Sequence, residues 1–121
     1  MRVFVTKAFR RFMRFERISD DRLLESVGRA NRGLVDADLG GGLIKQRVAR
    51  SGQGRSGGYR TVIAFRRLDR AVFLYGFAKS EKGNVGITDL VRLKKLAAIF
   101  LDGSSDDLDE WSQRGELEEV R

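Results

Sequence analysis

The stretch Ser51–Arg60, SGQGRSGGYR, contains Gly52-Gln53-Gly54-Arg55-Ser56-Gly57, a literal G-x-G-x-x-G. Its neighbours decide what it means. A dinucleotide-binding turn follows a strand and opens a helix within a βαβ unit. Here the loop leads into Thr61-Val62-Ile63-Ala64-Phe65, a β-branched and aromatic run with strand character. Upstream, Leu43 to Arg50 alternates, with Leu43, Lys45, Arg47 and Ala49 on one face and Ile44, Gln46 and Val48 on the other. Two adjacent strands joined by a glycine-rich loop make an antiparallel hairpin, and the cofactor reading fails.

The rest of the chain arranges itself around this hairpin. Arg2 to Val5 is a short strand. Thr6 caps a helix running to Glu16, with Phe9, Phe12 and Met13 on one side. Ser19-Asp20-Asp21 starts a second helix, in which Leu23, Leu24, Val27 and Ala30 recur at helical spacing before Asn31-Arg32-Gly33 ends it. Tyr59–Arg67 and Ala71–Lys79 form the second and third of three successive strands, joined by the turn Leu68-Asp69-Arg70. A helix is predicted from Thr88-Asp89 to Leu101, with Leu90, Leu93, Leu96, Ala97 and Phe100 on its apolar side. Ser105-Asp106-Asp107 caps a last short helix that Gly115 terminates, and Glu116 to Val120 reads as a tail or small strand.

Composition narrows the chemistry. The 121 residues suit one domain with its own hydrophobic core. With neither cysteine nor histidine, disulfides, thiolate chemistry, histidine-based catalysis and nearly every zinc site are excluded. No cofactor and no metal are expected. No apolar run approaches a membrane span, and a cytoplasmic protein is the default. The net charge of +7 is unevenly spread: residues 1–101 hold 22 Lys/Arg against 9 Asp/Glu, whereas residues 102–121 hold 2 against 8. A body this basic favours a polyanion partner. Lys45 and Arg47 enter the glycine loop, and Arg55, Tyr59 and Arg60 leave it. Adjacent strands lie about 5 Å apart, so these side chains can converge beside glycine N–H groups, an arrangement suited to phosphate.

These residues, read as GGGLIKQRVARSGQGRSGGYRTVIAF followed by FLYGFAKSEKGN, resemble the RelE/HigB toxins of bacterial type II toxin–antitoxin systems, in the RelE/ParE superfamily. The resemblance rests on the pair Lys45 and Arg47, on Gly52 to Gly58 with Arg60, and on Tyr75 to Lys79. It covers residues 1–101, a toxin domain, and leaves 102–121 as an acidic C-terminal extension. It implies an α+β fold, in βααβββα order, with helices on one side of a small antiparallel sheet. It also implies a ribosome-dependent mRNA endoribonuclease that a cognate antitoxin neutralises.

RNA carries its own nucleophile, the 2′-OH, so the enzyme must deprotonate it, stabilise the phosphorane and protonate the leaving oxygen. In that scheme Lys45 is the candidate base, with neighbouring cations able to lower a lysine's pKa. Arg47 and Arg60 are candidates to hold the scissile phosphate. Lys79 adds charge or donates a proton. Arg55, with Arg50 and Lys82, is assigned to flanking RNA, and Tyr59 to stacking on a base or donating a proton. Alternation places Tyr59 and Arg60 on opposite faces. The chain has no tyrosine after Lys79, where the best-known RelE toxins have one, so the general acid stays open. The alternatives are an RNA- or ribosome-binding protein with little or no catalysis, and a ParE-like toxin acting on gyrase.

Overall fold

The most apolar strands predict the architecture. A strand that reads as a continuous hydrophobic run is buried on both faces, and both Arg2–Thr6 (β1) and Arg70–Ala78 (β5) are of this kind. In the computed structural model they lie side by side, parallel, inside a six-stranded sheet. The structure describes residues 1–50, 54–78 and 87–121; the side chains of residues 50, 54–57, 87 and 88 fall outside that description.

The remaining elements are α1 (Lys7–Glu16), α2 (Asp20–Asn31), β2 (Ala37–Gly40), β3 (Leu43–Arg50), β4 (Gly54–Arg66), α3 (Ile87–Asp102), α4 (Ser105–Gln113) and β6 (Leu117–Val120). The sheet order is β2-β3-β4-β5-β1-β6, antiparallel at every pairing except β1 with β5. The α+β class, the antiparallel β3–β4 hairpin and the order of the main elements agree with the sequence reading, but β4 starts at Gly54 rather than Tyr59, so most of the glycine run lies in the strand. Thr6 and Ser19 cap α1 and α2 as expected, their hydroxyls accepting from the N–H groups of Phe9 and Arg22.

The expectation of helices on one side needs correction. α1 and α2 cover one face through Val5, Phe9, Met13, Leu23, Val27, Ile63 and Phe73. α3 and α4 cover the other through Phe4, Val62, Val72, Leu74, Ala97, Phe100 and Leu108. The cause is the doubly apolar β1 and β5, whose second face would otherwise meet water. The acidic extension completes this second layer. β6 pairs antiparallel with β1, burying Leu117 and Val120, so residues 117–120 form an edge strand.

A β-bulge in β5 changes which side chains share a face. Ile63 pairs with Phe73, yet Val62 pairs with Tyr75, leaving Leu74 as the extra residue. Ala71 and Phe73 therefore face α1 and α2, but beyond the bulge it is Gly76 and Ala78 that do so. Tyr75 is carried to the α3 face.

Candidate RNA-cleavage site

Residues directly opposite one another on antiparallel strands share a face. Arg47 on β3 is opposite Arg60 on β4, and Arg60 is opposite Phe77 on β5. One row along, Lys45 is opposite Val62 and Val62 is opposite Tyr75. Val62 belongs to the core under α3, which fixes the face of both rows. The hairpin thus brings Lys45, Arg47 and Arg60 together on the α3 face, beside Tyr75 and Phe77.

The positions of Lys45 and Arg47 are set from behind. Gln46, fully buried between them on the opposite face, donates through Nε2 to the carbonyls of Ser26 and Leu34, both at 3.0 Å, and accepts from the Asp36 N–H at 3.0 Å. Thr61 Oγ1 donates to the Gln46 carbonyl at 2.7 Å. The ladder with β2 ends where Ala37 pairs with Lys45, so the Arg47 backbone finds side-chain partners instead. Its N–H donates to Asp36 Oδ2 at 2.6 Å, and its carbonyl accepts from the buried Arg29 guanidinium, which also pairs with Glu25. These contacts leave the Arg47 side chain on the open face, where it is exposed.

Arg60 differs from Arg47 in being half-buried. Its Nη1 is buried and has no hydrogen-bond partner among the described residues. A buried guanidinium nitrogen without an acceptor is costly, and a phosphate oxygen is the kind of acceptor it lacks.

Tyr59 goes elsewhere. It is 3% exposed, in the core under α1 and α2, where its hydroxyl contacts the Glu16 carbonyl and its ring meets Phe12 edge-on at 5.6 Å. It does not share a face with Arg60, so its expected stacking or proton donation at this cluster is not carried forward. Arg50 and Arg55 lie on β3 and β4 with side chains outside the described residues, and Lys79 and Lys82 lie wholly outside them. Tyr75, a further candidate on this face, is not legible from the sequence, because strict alternation puts it with Phe73 on the opposite face. Sequence reasoning also missed the support from Gln46, Arg29 and Asp36. The signal available for Gln46 was a polar residue on the otherwise apolar face of Ile44 and Val48.

A family model described as the RelE toxin of the RelE/RelB toxin–antitoxin system matches residues 1–120. The chain belongs to the RelE toxin family. The match extends through β6, past the residues 1–101 that carry the resemblance in sequence. A search of curated proteins finds no match. As a RelE-type toxin, the chain has a cognate antitoxin as its implied partner. No helix among the described residues is long and apolar enough to cross a membrane.

Proposed function

We propose that this RelE-type toxin is an endoribonuclease that cuts mRNA on the ribosome, using the α3 face of the β3–β4 hairpin. The observation that carries the reading is the Arg47–Arg60 pair, next to Lys45, with a buried Arg60 nitrogen that has no acceptor among the described residues. Arg60 and Arg47 hold the non-bridging oxygens of the scissile phosphate and neutralise the charge that grows on them. Lys45 accepts the 2′-OH proton as that oxygen attacks phosphorus. The P–O5′ bond then breaks, leaving a 2′,3′-cyclic phosphate and a free 5′-hydroxyl.

Tyr75, on the row of Lys45, is the phenol on this face and the candidate to protonate O5′. Lys79 remains a second candidate for that role. Arg50, Arg55 and Lys82 are proposed to engage flanking phosphates. Because the nucleophile and the charge-stabilising groups come from RNA and protein, the scheme calls for no metal. The ribosome supplies what a small open face lacks, an RNA strand held in reactive geometry.

Inducing the protein in bacteria without its antitoxin is expected to halt growth and translation. Arg60→Ala relieves the arrest, whereas Arg114→Ala, at the C-cap of α4 beside Glu110 and Glu116, does not. Equal toxicity of the wild type and Arg60→Ala removes Arg60 from the site and overturns this reading.

A further inference from the structure

A second cationic surface lies on the opposite side of the sheet. Lys7, Arg11 and Arg14 fall at i, i+4 and i+7 of α1, one exposed stripe. Their neighbour Arg10 is paired with Glu118 of β6 and Asp20 of α2. Lys7, Arg11 and Arg14, with Arg17 and Arg22 beyond them, have no ion pair among the described residues. At the C-terminal end of this stripe the α1–α2 corner frames an open cleft of about 490 Å³. It is lined by Phe15, Arg17, Arg22, Ala49 and the edge of Tyr59. Its carboxylate, Glu16, faces the Tyr59 hydroxyl at 3.4 Å. Phe15 is 86% exposed, the most exposed large hydrophobic side chain among the described residues.

An aromatic ring held in water beside arginines with no ion pair among the described residues is what a nucleobase with flanking phosphates requires. Bases of any identity stack on such a ring, and arginines track the backbone. The cleft falls in the size range of small-ligand sites. Ala49 places it at the same end of the hairpin as Arg47 and Arg60, around the edge of the sheet from them. We propose that the α1–α2 corner is a second RNA-binding site, in which Phe15 stacks a base and Arg17 and Arg22 hold its phosphates. Lys7, Arg11 and Arg14 extend the phosphate track along α1. The inference rests on RNA being the ligand of the proposed function, and it adds a separate contact on the other face.

The test is fluorescence anisotropy with a fluorescein-labelled 2′-O-methyl RNA, which lacks the nucleophile and so survives the titration. Phe15→Ala is expected to lower affinity about tenfold, with the salt dependence unchanged, and Phe15→Trp to retain affinity. Arg11→Ala with Arg14→Ala is expected to reduce the slope of log K against log[salt] by about 1.4, at 0.7 per phosphate contact. Parent-like binding by Phe15→Ala and by the double arginine variant overturns the proposal. So does unchanged RNA binding with loss of antitoxin binding, which makes the corner a protein contact. A wild-type protein that never cleaves RNA, yet shows these losses of affinity, removes the proposed nuclease function and leaves this site standing.

Discussion

Gln46 shows how a residue outside the chemistry determines it. Its amide ties β3 to the α2 carbonyl of Ser26 and to the loop at Leu34 and Asp36, and so fixes which way Lys45 and Arg47 face. Gln46→Leu keeps the volume but strands the buried Ser26 carbonyl and two part-buried partners, the Leu34 carbonyl and the Asp36 N–H. Thermal or urea unfolding is expected to show a loss of about 2–3 kcal/mol. A loss under about 0.5 kcal/mol, the range of an ordinary surface change, would contradict the role. At this scale the sequence was partly legible. Basic residues spaced by one on an alternating strand make Lys45 and Arg47 candidates, and the hairpin register sets Arg60 opposite Arg47. Tyr59 was ambiguous as an aromatic at a strand start, and burial on the α1 face assigned it to the core. Tyr75 was hidden by the bulge at Leu74, whose one local sign in AVFLYGFA is the in-strand Gly76. If Tyr75 protonates the leaving oxygen, Tyr75→Phe lowers the single-turnover cleavage rate on ribosomes by 10²-fold or so, a typical general-acid contribution, with ribosome affinity unchanged.

At the scale of elements, helix starts were the most legible feature. Thr6 and Ser19 each accept from a backbone N–H three residues on, as expected; the last helix is capped one residue earlier than expected, by Ser104 rather than Ser105, in a capping box with Asp107. The turn from β4 to β5 is also local. Asp69 N–H donates to the Arg66 carbonyl at 3.0 Å, and Leu68 takes φ of 61°, a left-handed conformation that glycine adopts without penalty. Leu68 is 69% exposed, so its side chain adds little packing. Leu68→Gly is expected to stabilise the protein by about 0.5–1 kcal/mol, read as a rise in Tm. A fall in Tm would mean that the side chain contributes more than the backbone strain costs. What sequence could not give was long-range pairing. β2 and β6 are four-residue edge strands whose identity depends on partners far along the chain. The two-sided cover follows from β1 and β5 being apolar throughout, yet a short apolar run alone does not reveal its neighbours.

At the scale of the whole molecule, the acidic extension and the basic body form one charge-complementary unit. Arg2 pairs with Asp109 at 2.7 Å and Glu119 at 3.0 Å, tying β1 to α4 and β6, while Arg10 pairs with Glu118. The Arg2 guanidinium holds the Glu119 carboxyl below its ordinary value, against a smaller opposing effect of burial. A carboxylate whose pKa is depressed by folding adds stability above its unfolded pKa, and that stability is lost as pH falls through the folded value. Wild-type stability is therefore expected to decline as pH drops below about 4.3, the ordinary glutamate value. Glu119→Gln is expected to cost about 1 kcal/mol at neutral pH and to flatten the acid limb. Parallel pH–stability curves for the two proteins would rule out this linkage.

The central claim is that the Arg47–Arg60 face cuts RNA rather than merely binding it. Primer extension on a message being translated in a purified system, with and without ribosomes, tests it most directly. Wild-type protein is expected to produce discrete cuts that depend on ribosomes, and folded Arg60→Ala to lose them. Undiminished cutting by Arg60→Ala, or arrested translation with an intact message, would contradict the account.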